Sequence, residues 1–181
     1  LPDILERSAE RYPDRMALQF EGYRITFREL KQMVDRFAAV LHQFGIRKGD
    51  RVAILLPNLI PCVICYFSIL KLGSIVVMHN PLYSDRELAY QLNDSGAKAL
   101  LTLDLLSNRM IDLRPKTGVN QIVYTTIGDY LPFPKSLLFK LFGKSKKLAA
   151  TVKPADNVYK WKNLLAASEE QISGVALSFD D

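Results

Sequence analysis

The chain has 181 residues, 49% of them hydrophobic and 24% charged, which is the balance of a folded globular protein and excludes a largely disordered one. That length supports one sizeable core with at most a small appended piece, and is short for two full domains. The net charge of +5 is local, because eight lysines and a single acid, Asp156, fall between Tyr130 and Lys162 and the remainder is slightly acidic. A basic patch confined in this way argues against a nucleic-acid-binding surface.

No charged n-region followed by an apolar h-region and a cleavage site is present near the start, so a cytoplasmic location is expected. Asp3 is placed to cap a first helix over ILERSAERY, which Pro13 stops. MALQF and YRIT flank Glu21 and Gly22 and predict a hairpin. Thr26, Phe27, Arg28 and Glu29 form a capping box, after which Phe27, Leu30, Val34, Phe37, Leu41 and Phe44 recur at helical spacing until Gly45. Arg51 to Leu56 is a continuous apolar run between turn residues and reads as a strand covered on both faces.

A helix beginning near Pro61 and ending at Leu72 and Gly73 follows, and SIVVM then reads as a second doubly buried strand. Ser84 to Glu87 is another capping box, opening a helix that ends near Ser95 and Gly96. KALLTL, a short helix over Leu105 to Leu113, and QIVYT complete the pattern. Alternation of strand and helix in this manner predicts an α/β fold, a mostly parallel sheet with helices on both faces.

Val52 to Leu70 contains no charge and is long enough to span a membrane. Pro57, Asn58 and Pro61 interrupt it, and strands of similar character recur at Ser74 and Lys98, so strand, turn and helix is the preferred reading. Within it, Cys62 and Cys65 form a C-x-x-C pair near a helix start, a position that suits a redox dithiol. Wholly apolar surroundings favour two buried, reduced core residues instead. Zinc would need both cysteines with both histidines, and His42 shares no motif with them.

His79 ends a buried strand, where open parallel sheets place their ligands, and Asn80 and Pro81 turn the chain out of the sheet. His79 and Asn80 are therefore candidates for a position beside a site. The residues contain no Gly-rich phosphate loop, serine nucleophile elbow or paired-carboxylate site. Taken alone they specify architecture without visible chemistry.

Three stretches carry a resemblance. ITFREL at Ile25 to Leu30, LKLGSIVVMHNPLY at Leu70 to Tyr83 and RELAYQLNDSGA at Arg86 to Ala97 resemble successive motifs at the start of the AMP-forming acyl-CoA synthetases, within the adenylate-forming superfamily. The wording is most similar to the long-chain fatty acid CoA ligases, and the match runs from Asp3 to about Thr125. His79 stands where an apolar or small polar residue is more usual, and Leu72 where alanine is common. The resemblance implies that Mg-ATP activates a fatty carboxylate as an acyl-adenylate, and that the thiol of CoA then displaces AMP. In that family the chemistry falls to a phosphate loop, an adenine-binding segment, an acidic metal ligand, an Asp on the ribose and a C-terminal Lys, none of which occurs here.

The resemblance thus implies an N-terminal portion that is inactive alone, carries no catalytic, cofactor or metal residue, and serves a larger enzyme whose partners are fatty acid, ATP and CoA. The expected division is an α/β subdomain over 1–129, a basic amphipathic insertion and linker over 130–165, and a lead-in to the phosphate-loop region over 166–181. Two other readings stay open: a non-catalytic α/β interaction module, and a C-x-x-C redox protein.

After Asp129 the residues speak for themselves. Leu137, Leu138, Leu141, Phe142, Leu148 and Ala149 fall on one helical face, with Lys140, Lys144 and Lys147 on the other, as in a basic interfacial helix. Peripheral attachment to an anionic membrane surface is expected through Lys135, Lys140, Lys144, Lys146 and Lys147. The alternative is a helix packed on the domain with a solvated lysine face, favoured by Gly143 and by Ser145 on the apolar side. Trp161, Leu164 and Leu165 are expected to pack a linker helix.

Overall fold

The computed structural model describes residues 2–168 and opens with helix α1 (Pro2–Arg11). Asp3 sits inside the first turn of α1 and not ahead of it, where its charge still complements the helix N-terminus. Strands β1 (Met16–Phe20) and β2 (Tyr23–Thr26) pair as the expected antiparallel hairpin. Glu21 and Gly22 both take positive φ, 52° and 95°, the two-residue turn whose twist matches its flanking strands.

Helix α2 (Phe27–Gln43) starts on the capping box foreseen from the residues. The backbone N–H of Glu29 donates to Thr26 Oγ1 at 3.3 Å, and the N–H of Thr26 donates to Glu29 Oε2 at 2.7 Å. Two otherwise orphaned donors are satisfied by one pair of side chains. The helix then buries Leu30, Val34, Phe37 and Leu41.

Five parallel strands form the main sheet: β3 (Arg51–Leu55), β4 (Ile75–Met78), β5 (Ala99–Leu103), β6 (Gln121–Thr125) and β7 (Val158–Lys160), in the order β4-β3-β5-β6-β7. Helices α3 (Ile60–Lys71), α4 (Asp85–Ser95) and α5 (Asp104–Leu113) make the crossovers. Alternate residues of the central strands feed two cores. Val52, Ile54, Leu101 and Val123 pack with α2 and α3, whereas Ala53, Leu55, Leu100 and Ile122 pack with Leu88, Leu92 and Met110 of α4 and α5. The predicted α/β architecture, a mostly parallel sheet covered on both faces, is the one observed.

Two local expectations change. SIVVM is not doubly buried: β4 is the edge of the sheet, with Ile75 46% and Met78 53% exposed. An apolar run shows that a strand is hydrophobic but not where it lies in the sheet. The second change is β7, a strand absent from the sequence reading, which returns the segment after Asp129 to the sheet beside β6. Val52 to Leu70 divides into strand, turn and helix as expected, and no described helix is long and apolar enough to cross a membrane.

Helix α7 (Trp161–Ala167) follows β7 directly and seats Trp161 in the core, 1% exposed. Its ring lies 4.4 Å from that of Phe37, and its Nε1–H donates to Tyr130 Oη at 2.9 Å. The apolar bulk is buried and the polar edge is satisfied, which is how tryptophan is accommodated inside a protein. Residues 169–181, most of the stretch expected to lead toward a phosphate loop, lie outside the described residues.

One feature of this core has no signature in the hydrophobic pattern. Lys71 near the end of α3 is 5% exposed, and its Nζ donates to Asp35 Oδ1 at 2.5 Å and to Glu6 Oε1 at 2.7 Å. Lys31 completes the group, donating to Asp35 Oδ2 at 2.6 Å and lying 3.2 Å from Glu6. Two cations and two carboxylates bind α1, α2 and α3 together with no net charge left over.

Candidate functional site

Open parallel sheets gather ligands outside the carboxyl ends of their strands, and here β5, β6 and β7 open onto a cleft of about 680 Å³. Leu55, Thr102, Tyr124 and Lys160 share one row across the sheet, so Tyr124 and Lys160 come to the cleft from neighbouring strands. Asp104, the first residue after β5, and Asp129, in the 3-10 turn Ile127–Tyr130 after β6, add two carboxylates. Lys162 adds a second lysine after β7, its Nζ 3.6 Å from Asp129 Oδ1.

Both carboxylates are occupied as acceptors. Asp104 receives the N–H of Leu105 and that of Ala150, each at 2.9 Å, tying the far wall of the cleft to the start of α5. Burial pushes the Asp104 carboxyl above its ordinary range, an effect the two amides only partly offset. Asp129 accepts from Thr125 Oγ1 and from the N–H of Thr126, both at 3.0 Å. Burial likewise raises the Tyr124 phenol, with a further push from the charges of Asp104 and Asp129. The arrangement shapes a mixed-charge rim whose two carboxylates are held in place by backbone and hydroxyl donors. Asp104 was missed from the residues, although its place directly after a buried strand is a readable signal.

The two sequence candidates part company. His79 is 5% exposed; its N–H donates to Ile54 O at 2.9 Å and its Nδ1 lies 2.9 Å from Gln91 Oε1 on α4. Its Nε2 is buried with no hydrogen-bond partner among the described residues. Asn80 instead faces solvent and accepts the N–H of Leu82 at 2.9 Å, a local turn of the kind asparagine favours. Neither lines the cleft.

Cys62 and Cys65 are free thiols, both buried. Burial pushes the Cys65 thiol well above its ordinary value and raises Cys62 as well, the reverse of the lowered value a reactive dithiol needs. The redox reading is set aside on that ground. Among the described residues no group of three or more His, Cys, Asp or Glu is placed to hold a metal ion.

The lysine-rich segment folds as helix α6 (Lys135–Phe142), which stops at Gly143, short of the span its periodicity suggested. Lys135 pairs with Glu21 at 2.8 Å, Lys140 and Lys144 border the cleft, and Lys146 and Lys147 follow in turns beyond the helix. No residue of α6 is buried.

Residues 5–161 match the model of the AMP-binding enzymes. The chain belongs to this family. It is 44% identical over 146 residues to a long-chain-fatty-acid–CoA ligase of Bacillus subtilis, an alignment covering 81% of the chain and 26% of that protein. A long-chain-fatty-acid–CoA ligase of Escherichia coli O157:H7 is 42% identical over 139 residues, covering 76% of the chain and 25% of that protein. An anthranilate CoA ligase solved with anthranoyl-AMP superposes with a TM-score of 0.77 at 20% identity, over 96% of the chain and 29% of that structure, a likeness of fold alone. This AMP-binding family member thus spans about a quarter of the length of the curated relatives it matches.

Proposed function

We propose that the chain is the N-terminal part of an ATP-dependent long-chain fatty acid CoA ligase, which joins a fatty carboxylate to CoA through an acyl-adenylate. The observation that carries this reading is the 44% identity to a long-chain-fatty-acid–CoA ligase over 146 residues, 81% of the chain. Fatty acid, Mg-ATP and CoA are its substrates in the complete enzyme. Such a protein works in the cytoplasm at a membrane surface, where its substrate partitions.

The described residues do not fit Mg-ATP by themselves, since they offer neither a cluster of metal-ligating side chains nor a glycine-rich phosphate loop. No step of adenylation is therefore assigned to them. What they supply is scaffold. It consists of the capped start of α4, the parallel sheet and the cleft at the carboxyl ends of its strands.

The test is product formation by the full-length protein. Long-chain fatty acid, ATP, Mg²⁺ and CoA should yield acyl-CoA and AMP, read by mass spectrometry. AMP and acyl-CoA formed only from short or aromatic acids would reject the long-chain assignment, and no product from any carboxylate would reject the ligase.

A further inference from the structure

The crest of α6 breaks the usual rule for a surface helix. Phe139 is its keel, set so close to Gly128 that a Cβ there would lie 2.4 Å from the ring. With Phe139 turned inward, helical geometry turns Leu137 and Leu141 outward, and they are 48% and 64% exposed. Leu138, Phe142 and Leu148, 53%, 51% and 45% exposed, continue the apolar surface along a groove of about 400 Å³ that Leu131 and Lys146 also line. Phe133, 81% exposed, extends it at the helix start. A contiguous apolar surface of this kind marks a contact.

Its surroundings identify the partner. Residues 133–148 hold five lysines and no acid. Among the described residues Lys135 has its carboxylate in Glu21, whereas Lys140, Lys144, Lys146 and Lys147 enter no ion pair. Protein interfaces are depleted in lysine, whose ammonium is costly to desolvate. An apolar ridge bordered by uncompensated lysines is instead complementary to a bilayer with anionic headgroups, into which such ridges sink about 5–10 Å. A packed helix with a solvated lysine face would bury these leucines, and none of the described residues covers them.

We infer that α6 and the turns after it form a membrane-docking element, with Leu137, Leu138, Leu141 and Phe142 entering the lipid and Lys140, Lys144, Lys146 and Lys147 contacting anionic headgroups. It rests on the proposed lipid-substrate enzyme for its use and not for its geometry. The element brings the cleft behind it, whose rim shares Leu137, Lys140 and Lys144, against the bilayer.

The experiment is co-sedimentation of the intact enzyme with vesicles of phosphatidylcholine alone or mixed with phosphatidylglycerol. Pelleting is expected only with the anionic vesicles, falling as salt is added. Lys144→Gln with Lys147→Gln should weaken partition about 25-fold, at about fivefold per lysine. Leu137→Ser with Leu141→Ser, changes at exposed positions that leave the core untouched, should abolish it. Equal binding to both vesicle types, binding to neither, or full binding by both variants would overturn the inference. So would a Leu141→Cys thiol that resists maleimide without vesicles, because the rest of the polypeptide would then cover the ridge. Acyl-CoA formation on the same preparation separates the two readings. An active ligase that ignores anionic vesicles refutes the docking element alone, and an inactive protein that binds them refutes the ligase alone.

Discussion

Lys71 is the residue on which the packing of the first three helices turns. A lone ammonium held this deep would carry a large desolvation cost, yet Asp35 and Glu6 both accept from it and Lys31 balances the remaining charge. Replacing it with methionine keeps the volume and leaves Asp35, 2% exposed, with Lys31 as its only cation in the group. Lys71→Met should cost about 3 kcal/mol in a urea titration, the range seen when one partner of a buried pair is removed. An unchanged midpoint would mean that the network is neutral to stability.

The same group sets an acid limit. Burial alone would raise the Glu6 carboxyl, but hydrogen bonds and charge from Lys71 and Lys31 outweigh it and hold the group below its ordinary 4.5. The unfolded chain then binds more protons than the native one in that window. Stability from Glu6 is complete above pH 4.5 and is lost as pH falls through the lower folded value. Asp104 has the opposite sign: raised by burial, it contributes most when protonated, and that contribution is lost as pH rises above 3.8. Denaturant titrations across this range should show a shallower acid loss in Glu6→Gln than in the parent, and parallel curves would remove Glu6 from the account.

At the scale of elements, helix starts are where local chemistry acts most independently of tertiary context. Ser84 Oγ accepts the N–H of Glu87 at 3.4 Å, while Glu87 Oε2 takes the N–H of Ser84 at 2.8 Å. The hydroxyl and the amide of Ser84 together hold the Glu87 carboxyl below its usual range. Ser84→Ala should destabilise by about 1 kcal/mol, measured by chemical denaturation. Loss of far more than that would show the turn at Asn80 to Tyr83 to depend on the cap as well.

Both capping boxes, the hairpin and the four parallel strands β3 to β6 were legible because each is written in contiguous residues. The edge position of β4 was not, since its neighbours are chosen by tertiary pairing and Ile75 and Met78 look like core residues in isolation. Strand β7 was missed for a related reason. Val158–Lys160 is only three residues, preceded by Asn157 at a φ of 59°, and becomes a strand solely by pairing with β6. In α6 the helical period was legible and Gly143 was its readable stop, but the spacing of leucines ran past it to Leu148.

For the molecule as a whole, the candidate site was less legible than the fold. Asp104, Tyr124 and Lys162 come from α5, β6 and α7 and line one cleft only because parallel strands deliver all three to one end of the sheet. His79, singled out for the same reason, is absorbed by Gln91 into the packing of α4. The charged tetrad of Glu6, Lys31, Asp35 and Lys71 left no trace in the periodicity, since each member looks like an ordinary surface residue until three helices converge.

We propose this chain as scaffold for an adenylation site completed by the rest of a fatty acid CoA ligase. Isotope exchange between pyrophosphate and ATP reads the first half-reaction without CoA and tests that claim most directly. The full-length protein should catalyse exchange that depends on a long-chain fatty acid, and the 181-residue chain alone should catalyse none. Fatty-acid-dependent exchange by the 181 residues alone would contradict it, as would its absence from the full-length enzyme.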